Sequence, residues 1–85
     1  MQIIFQGIFY KKFKKLSPKI QNQFFNRITL FKVNKSSPIL NNHSVEKRFL
    51  DCRSINITGD YRAIFKEEKE NIYIFVNIGT HSELY

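Results

Sequence analysis

The sequence predicts an α+β fold: an N-terminal strand and an antiparallel helix pair, followed by a three-stranded antiparallel meander. Three observations carry this. Between Phe9 and Phe31 the apolar residues recur at helical spacing. From Ile55 onward the period shortens to two. Gly59-Asp60 sits between two such segments as a hairpin turn signal. Helices and strands in separate runs place the helices on one face of the sheet.

Gln2 to Phe5 reads as a short first strand. Phe9, Phe13 and Leu16 then follow helical spacing, with lysines between them. Ser17-Pro18 is a start signal for a second helix, serine as the cap and proline at the first helical position. Ile20, Phe24, Ile28 and Phe31 carry that helix to about Lys32. Val33 to Ser44, rich in Asn and Ser and containing Pro38, reads as a linker. Ile55 and Ile57 alternate with Ser54, Asn56 and Thr58, and Tyr61 to Lys66 is the return strand. Glu67 to Asn71 is a polar turn. Ile72, Ile74, Val76 and Ile78 alternate with Tyr73, Phe75 and Asn77. The expectation is that Ile55, Ile57 and the Ile72–Ile78 row pack on the helices. The face carrying Ser54, Asn56 and Thr58 is expected to stay open as a polar floor.

A chain of 85 residues with nine Phe makes one domain, residues 1–85, with a real but modest core. Its single cysteine, Cys52, forms no internal disulfide and fits a reducing cytoplasm. No segment is long and apolar enough for a membrane span, and the order of apolar before basic residues at the N-terminus is the reverse of an export signal. The net charge of +7 is unevenly placed. Residues 1–40 carry Lys11, Lys12, Lys14, Lys15, Lys19, Arg27, Lys32 and Lys35 and no acidic residue. Such a half suits a polyanionic or acidic partner, and charge alone does not choose among nucleic acid, an anionic surface and a protein.

Two clusters hold the candidate chemistry. The first is Arg53 to Phe65, with Asn56, Asp60 and Arg62; the second is Gly79-Thr80-His81-Ser82-Glu83-Leu84-Tyr85. Together they supply an imidazole, two guanidiniums, a carboxylate and a phenol, the groups that bind a phosphodiester and move its protons. Each also has a plainer explanation. Gly59-Asp60 is ordinary turn chemistry, Arg62 is a potential ion-pair partner for Glu67 or Glu83, and Tyr85 is a potential core plug. His43, His81 and Cys52 lack the close spacing of metal ligands, and the three glycines are too far apart for a phosphate loop. Neither a metal nor another cofactor is expected.

The Asn42-His43-Ser44-Val45 segment, the Arg53…Gly59-Asp60-Tyr61-Arg62-Ala63-Ile64-Phe65-Lys66 hairpin and the Gly79-Thr80-His81…Leu84-Tyr85 ending resemble the RelE/ParE superfamily of bacterial type II toxins. Within it they are most similar to the YafQ-like messenger RNA interferases. The resemblance spans nearly the whole chain, by motif in the sheet half and by pattern in the helices. It implies a RelE-like α+β toxin fold, a cytoplasmic ribonuclease acting on messenger RNA at the ribosome, and a hetero-oligomer with an antitoxin. On the family's pattern His43 and His81 match active-site histidines, Asp60 the turn aspartate and Tyr85 the aromatic terminus. Asn56 stands where a further histidine is expected, which removes one acid/base group. Arg53 and Arg62 match positions where RelE-like members carry basic residues.

Metal-free RNA cleavage uses the 2′-hydroxyl as nucleophile and needs a base, an acid for the leaving 5′-oxygen and cations on the phosphorane oxygens. His81 is the candidate acid, Arg62 and Arg53 the phosphate clamps, and His43 with Asp60 the base side. Tyr85 is a candidate for stacking a base or donating to phosphate. Lys11, Lys12, Lys14 and Lys15 are expected to hold RNA phosphates, with Asn56 also on the RNA-binding side. Two alternatives share the fold: a gyrase-inhibiting toxin of the ParE kind, and a catalytically inactive RNA- or antitoxin-binding module.

Overall fold

The structure, a computed structural model, describes residues 1–85. A strand β1 (Gln2–Phe5) leads into helix α1 (Gly7–Phe13), then the longer helix α2 (Pro18–Val33). A single 3-10 turn (Pro38–Leu40) and a short strand β2 (His43–Ser44) precede β3 (Arg53–Asn56), β4 (Tyr61–Lys69) and β5 (Ile72–Thr80), and helix α3 (His81–Leu84) follows β5. The strands form one sheet in the order β1-β5-β4-β3-β2. Neighbours are antiparallel except β1 and β5, which run parallel. The predicted α+β class holds, and the sheet is wider than the predicted meander. β1 joins it at one edge, and part of the Asn/Ser-rich linker forms β2 at the other.

Local chemistry explains the boundaries. Ser17 accepts a hydrogen bond from Ile20 N at 3.3 Å, and Pro18 fills the first helical position of α2. The β3–β4 turn is closed by Thr58, whose hydroxyl accepts from Asp60 N and Tyr61 N at 3.3 and 3.0 Å. Gly59 does not adopt a positive φ, so this turn rests on the threonine rather than on glycine's conformational freedom.

The helices cover one face of the sheet through an aromatic core. Phe9, Phe24, Ile28, Phe31 and Leu40 pack against Ile55, Ile57, Ala63, Phe65, Tyr73, Phe75 and Ile78. Phe31 is fully buried, with ring centroids 5.1 Å from Phe65 and 5.2 Å from Tyr73 in edge-to-face geometry. In β5 the facing is the reverse of the expected one: Tyr73 and Phe75 meet the helices, while Ile74 and Val76 do not join that cluster. The cause is an irregularity. Ile64 pairs with Asn77 but Phe65 pairs with Phe75, so Val76 has no partner across the ladder. This bulge resets the two-residue alternation and returns Ile78 to the helix side.

The opposite face is not an open polar floor along its length. Val45, Cys52, Ile64 and Leu84, with Phe49 and Val76, form a second cluster there. The segment 45–52 and α3 therefore cover part of it, and Ser54 is fully buried. Beyond this cover lies the row Asn56, Arg62 and Gly79, in which Asn56 and Arg62 are half-buried and Gly79 is buried.

Phe31→Ala is expected to destabilise the fold by about 3–5 kcal/mol, the usual cost of emptying a buried phenylalanine site. Ile8→Ala, at a position 63 % exposed, should change stability by less than about 0.5 kcal/mol. Chemical denaturation of the two variants measures the contrast.

Candidate functional site

The β3–β5 ladder sets out the site. Asn56 pairs with Arg62, and Arg62 pairs with Gly79. Their neighbours Ile55, Ala63 and Ile78 face the helices, so alternation directs Asn56, Arg62 and Gly79 to the other face. Arg62 is half-buried and donates through one terminal nitrogen to the carbonyls of Thr58 and Tyr61, both at 3.1 Å. It pairs with neither Glu67 nor Glu83, and its remaining N–H groups have no partner in the chain. Asn56 Oδ1 is buried and makes no hydrogen bond within the chain.

α3 places the terminal cluster beside this row. Thr80 caps the helix: its hydroxyl accepts from Glu83 N at 3.2 Å, and Glu83 Oε1 accepts from Thr80 N at 2.7 Å. This reciprocal capping box fixes where His81 begins. The backbone N–H of His81 donates to the Asp60 carbonyl at 2.9 Å, tying the β3–β4 turn to α3. The His81 ring is exposed and lies 4.9 Å from the Tyr85 ring. Tyr85 in turn lines an open groove of about 480 Å³ together with His43, Glu46 and Arg48. Arg48 Nε donates to the Leu84 carbonyl at 3.1 Å and holds α3 against the 45–52 segment. His43 Nδ1 donates to the Asn41 carbonyl at 2.6 Å, which leaves Nε2 as its free nitrogen.

Tyr85 is thus in ring contact with His81 and shares a groove with His43, and the Asp60 backbone anchors the start of α3. The Asp60 carboxylate makes no hydrogen bond or ion pair in the chain. Arg53 lies elsewhere. It is paired with Phe65 on the helix-bearing side, donates to Asn42 Oδ1 at 2.7 Å and to its carbonyl at 3.2 Å, and lines a separate pocket with Lys35, Glu67 and Tyr73. In that pocket Lys35 Nζ donates to the Tyr73 hydroxyl at 2.8 Å, and this bond above all raises the lysine's pKa. Of the lysine group, Lys11, Lys14 and Lys15 are exposed, whereas Lys12 is half-buried and reaches Asn77. No three His, Cys, Asp or Glu side chains converge as a metal-binding group.

Sequence reasoning missed α3, Arg48 and the Lys12–Asn77 contact. The first was readable: Thr80-His81-Ser82-Glu83 has the spacing of a capping box. The other two depend on tertiary placement and leave no local signal.

No protein-family model matches the chain, and no curated protein matches it in sequence. Solved structures do match in fold. YafQ from Escherichia coli strain BL21(DE3) is 19 % identical with a TM-score of 0.75, over 99 % of this chain and 97 % of that one. A YoeB/ParE toxin from Agrobacterium tumefaciens is 9 % identical with a TM-score of 0.77, over 95 % and 99 %. The Escherichia coli DinJ–YafQ toxin–antitoxin complex contains a chain 19 % identical with a TM-score of 0.73, over 99 % and 96 %. At these identities the likeness establishes a shared fold.

Glu83 gives the site a pH-dependent support. The Thr80 backbone N–H first, then its hydroxyl, hold the Glu83 carboxyl below its ordinary pKa, with a smaller contribution from the Lys12 charge. A depressed folded value means that the cap's stabilisation is present above the unfolded value and is lost as pH falls through the folded one. Acidification below the usual glutamate range should therefore weaken the Thr80–Glu83 cap, seen as an NMR shift of the Thr80 amide. In Glu83→Gln, which keeps a capping acceptor without a titrating group, that transition should be absent.

Proposed function

We propose that the chain is the toxin of a bacterial type II toxin–antitoxin system and that it cleaves messenger RNA on the ribosome. The observation that carries this is that the capped α3 sets His81 and Tyr85 in ring contact directly after the Arg62–Gly79 pair, while Tyr85 shares a groove with His43. The fold shared with YafQ and with the toxin of the DinJ–YafQ complex supports it.

The chemistry is attack of the ribose 2′-hydroxyl on the adjacent phosphorus, with departure of the 5′-oxygen. Arg62 meets the phosphorane oxygens with its unpartnered N–H groups, where a permanent charge counts most. His81 gives its proton to the 5′-oxygen. His43, through Nε2, accepts the proton of the 2′-hydroxyl. Tyr85, beside the His81 ring, offers a stacking surface or a hydroxyl. Asp60 acts through its carbonyl by placing the start of α3. Arg53, on the other face, takes no part in this chemistry. Lys11, Lys14 and Lys15 hold ribosomal or messenger phosphates and position the protein without specifying sequence.

The antitoxin fits the helical side. Phe5, Phe9, Tyr10, Phe13, Phe24 and Phe25 line a wholly apolar cleft. Phe5, Tyr10 and Phe25 remain 44 %, 60 % and 55 % exposed. The cleft lies in the part of the chain that carries eight basic residues and no acidic one. An amphipathic, acidic segment of an antitoxin matches both properties.

The test maps messenger ends in a translating extract. Wild type should give new fragments with a 2′,3′-cyclic phosphate and a 5′-hydroxyl. His81→Ala, which truncates an exposed ring, should slow cleavage by about 10²–10⁴-fold with unchanged thermal stability. Arg62→Ala should cost about 10²–10³-fold, and His43→Ala less than either. Intact messenger accompanied by arrest of replication would replace the nuclease with a gyrase-directed toxin.

A further inference from the structure

Lys12 differs from the lysines around it. Gln6 N donates to the Phe75 carbonyl at 3.0 Å where β1 ends, so α1 runs beside the part of β5 that β1 leaves unpaired. Lys12 passes over that edge. Its Nζ donates to Asn77 Oδ1 at 2.8 Å. A Cβ added to Gly79 would lie 3.3 Å from that Nζ and 3.3 Å from Glu83 Oε1. The ammonium therefore packs closely over Gly79, where any Cβ would have to press it aside. Gly79 pairs directly with Arg62, and Arg62 with Asn56. With strands about 4.8 Å apart, Lys12 stands at one end of the row that contains Arg62.

We propose that Lys12 is a ligand of the reacting phosphate, forming a two-cation clamp with Arg62, and that Gly79 is the gap that admits it. Its partners in the free chain leave it available. Asn77 is a neutral acceptor, and Glu83 is committed to Thr80 N at 2.7 Å. A phosphate oxygen is a stronger, charge-assisted acceptor than an amide. Two cations also match the second negative charge that a phosphodiester gains in its phosphorane transition state. The identity of the phosphate rests on the nuclease function proposed above; the two-cation site itself does not.

The experiment compares Lys12→Gln, Lys12→Arg, Gly79→Ala and Lys11→Gln. Cleavage is measured on programmed ribosomes at saturation. Binding of a non-cleavable DNA oligonucleotide is measured by fluorescence anisotropy over a salt series. Lys12→Gln should lower the saturating rate about a hundredfold while thermal stability is retained, and Lys12→Arg should keep most of the rate. Gly79→Ala, which presses the ammonium aside without removing it, should lower the rate in the same direction but less than Lys12→Gln, and the double variant should lose no more than Lys12→Gln alone. Lys11→Gln should weaken affinity only. A Lys12→Gln variant with the wild-type saturating rate overturns the assignment. If wild type cleaves no messenger, the nuclease proposal fails and the oligonucleotide decides. A loss of salt-sensitive binding in Lys12→Gln well beyond that in Lys11→Gln upholds the anion site, and equal losses overturn it.

Discussion

One unpaired residue, Val76, sets the phase of the second half of β5. Before it, Tyr73 and Phe75 point into the aromatic core; after it, Ile78 does so again, and Asn77 and Gly79 point the other way. Without the bulge, strict alternation would turn Asn77 toward Phe31 and Phe65 and carry Ile78 out. A buried side-chain amide with no partner there would cost about 1–3 kcal/mol or more. The bulge thus serves the core and the site at once. It lets one strand bury aromatic residues at its start, then present an acceptor and a glycine gap at its end, directly before the Thr80 cap.

The second consequence is that both faces of the sheet have work to do. The helix face supplies most of the apolar burial. The other face carries a smaller cluster, Val45, Cys52, Ile64 and Leu84, whose role is to seat α3 and the 45–52 segment. α3 spans only His81–Leu84, too short to persist alone. It holds its place through Leu84 in that cluster, the Thr80–Glu83 box, and the hydrogen bonds from His81 N to Asp60 and from Arg48 to Leu84. The rings that face solvent, His81 and Tyr85, are therefore fixed by backbone and cap contacts that do not consume their own polar atoms. The same division explains the charges. Lysines on the outer helical surface are free to meet a polyanion, while the cations at the sheet margin are held at set positions.

Much of this was legible in the sequence where the chemistry is local. Ser17-Pro18 marked the start of α2, the 3.6-residue spacing of Phe24, Ile28 and Phe31 marked its buried stripe, and the turn before Tyr61 was in place. The misplaced facing of β5 has a definite cause. Ile72 to Ile78 alternates perfectly as text, and a bulge is set by the ladder with β4, which single-strand periodicity does not register. The linker hid β2 and the buried Leu40, because Asn and Ser composition signals turns regardless of what packs beneath. In the site, His81 and Tyr85 lie in ring contact on α3, which follows the Arg62–Gly79 pair, and His43 shares a groove with Tyr85. Arg53 lies apart from them. Three residues from Asn56, it falls on the opposite face of the same strand. Lys12 looked equivalent to its neighbours, and only the ending of β1 at Phe5 gives it a different environment.

The central claim is that the reacting phosphate sits on the sheet face turned away from α1 and α2, at the margin bounded by Arg62, His81 and Gly79. A crystal structure with a short RNA carrying a 2′-deoxy substitution at the scissile nucleotide tests it most directly, because the missing nucleophile traps the substrate uncleaved. The account predicts the scissile phosphate within hydrogen-bonding reach of Arg62, with the His81 ring at the leaving 5′-oxygen. A scissile phosphate bound on the helical side, at the exposed lysines or in the Lys35–Arg53 pocket, would contradict it.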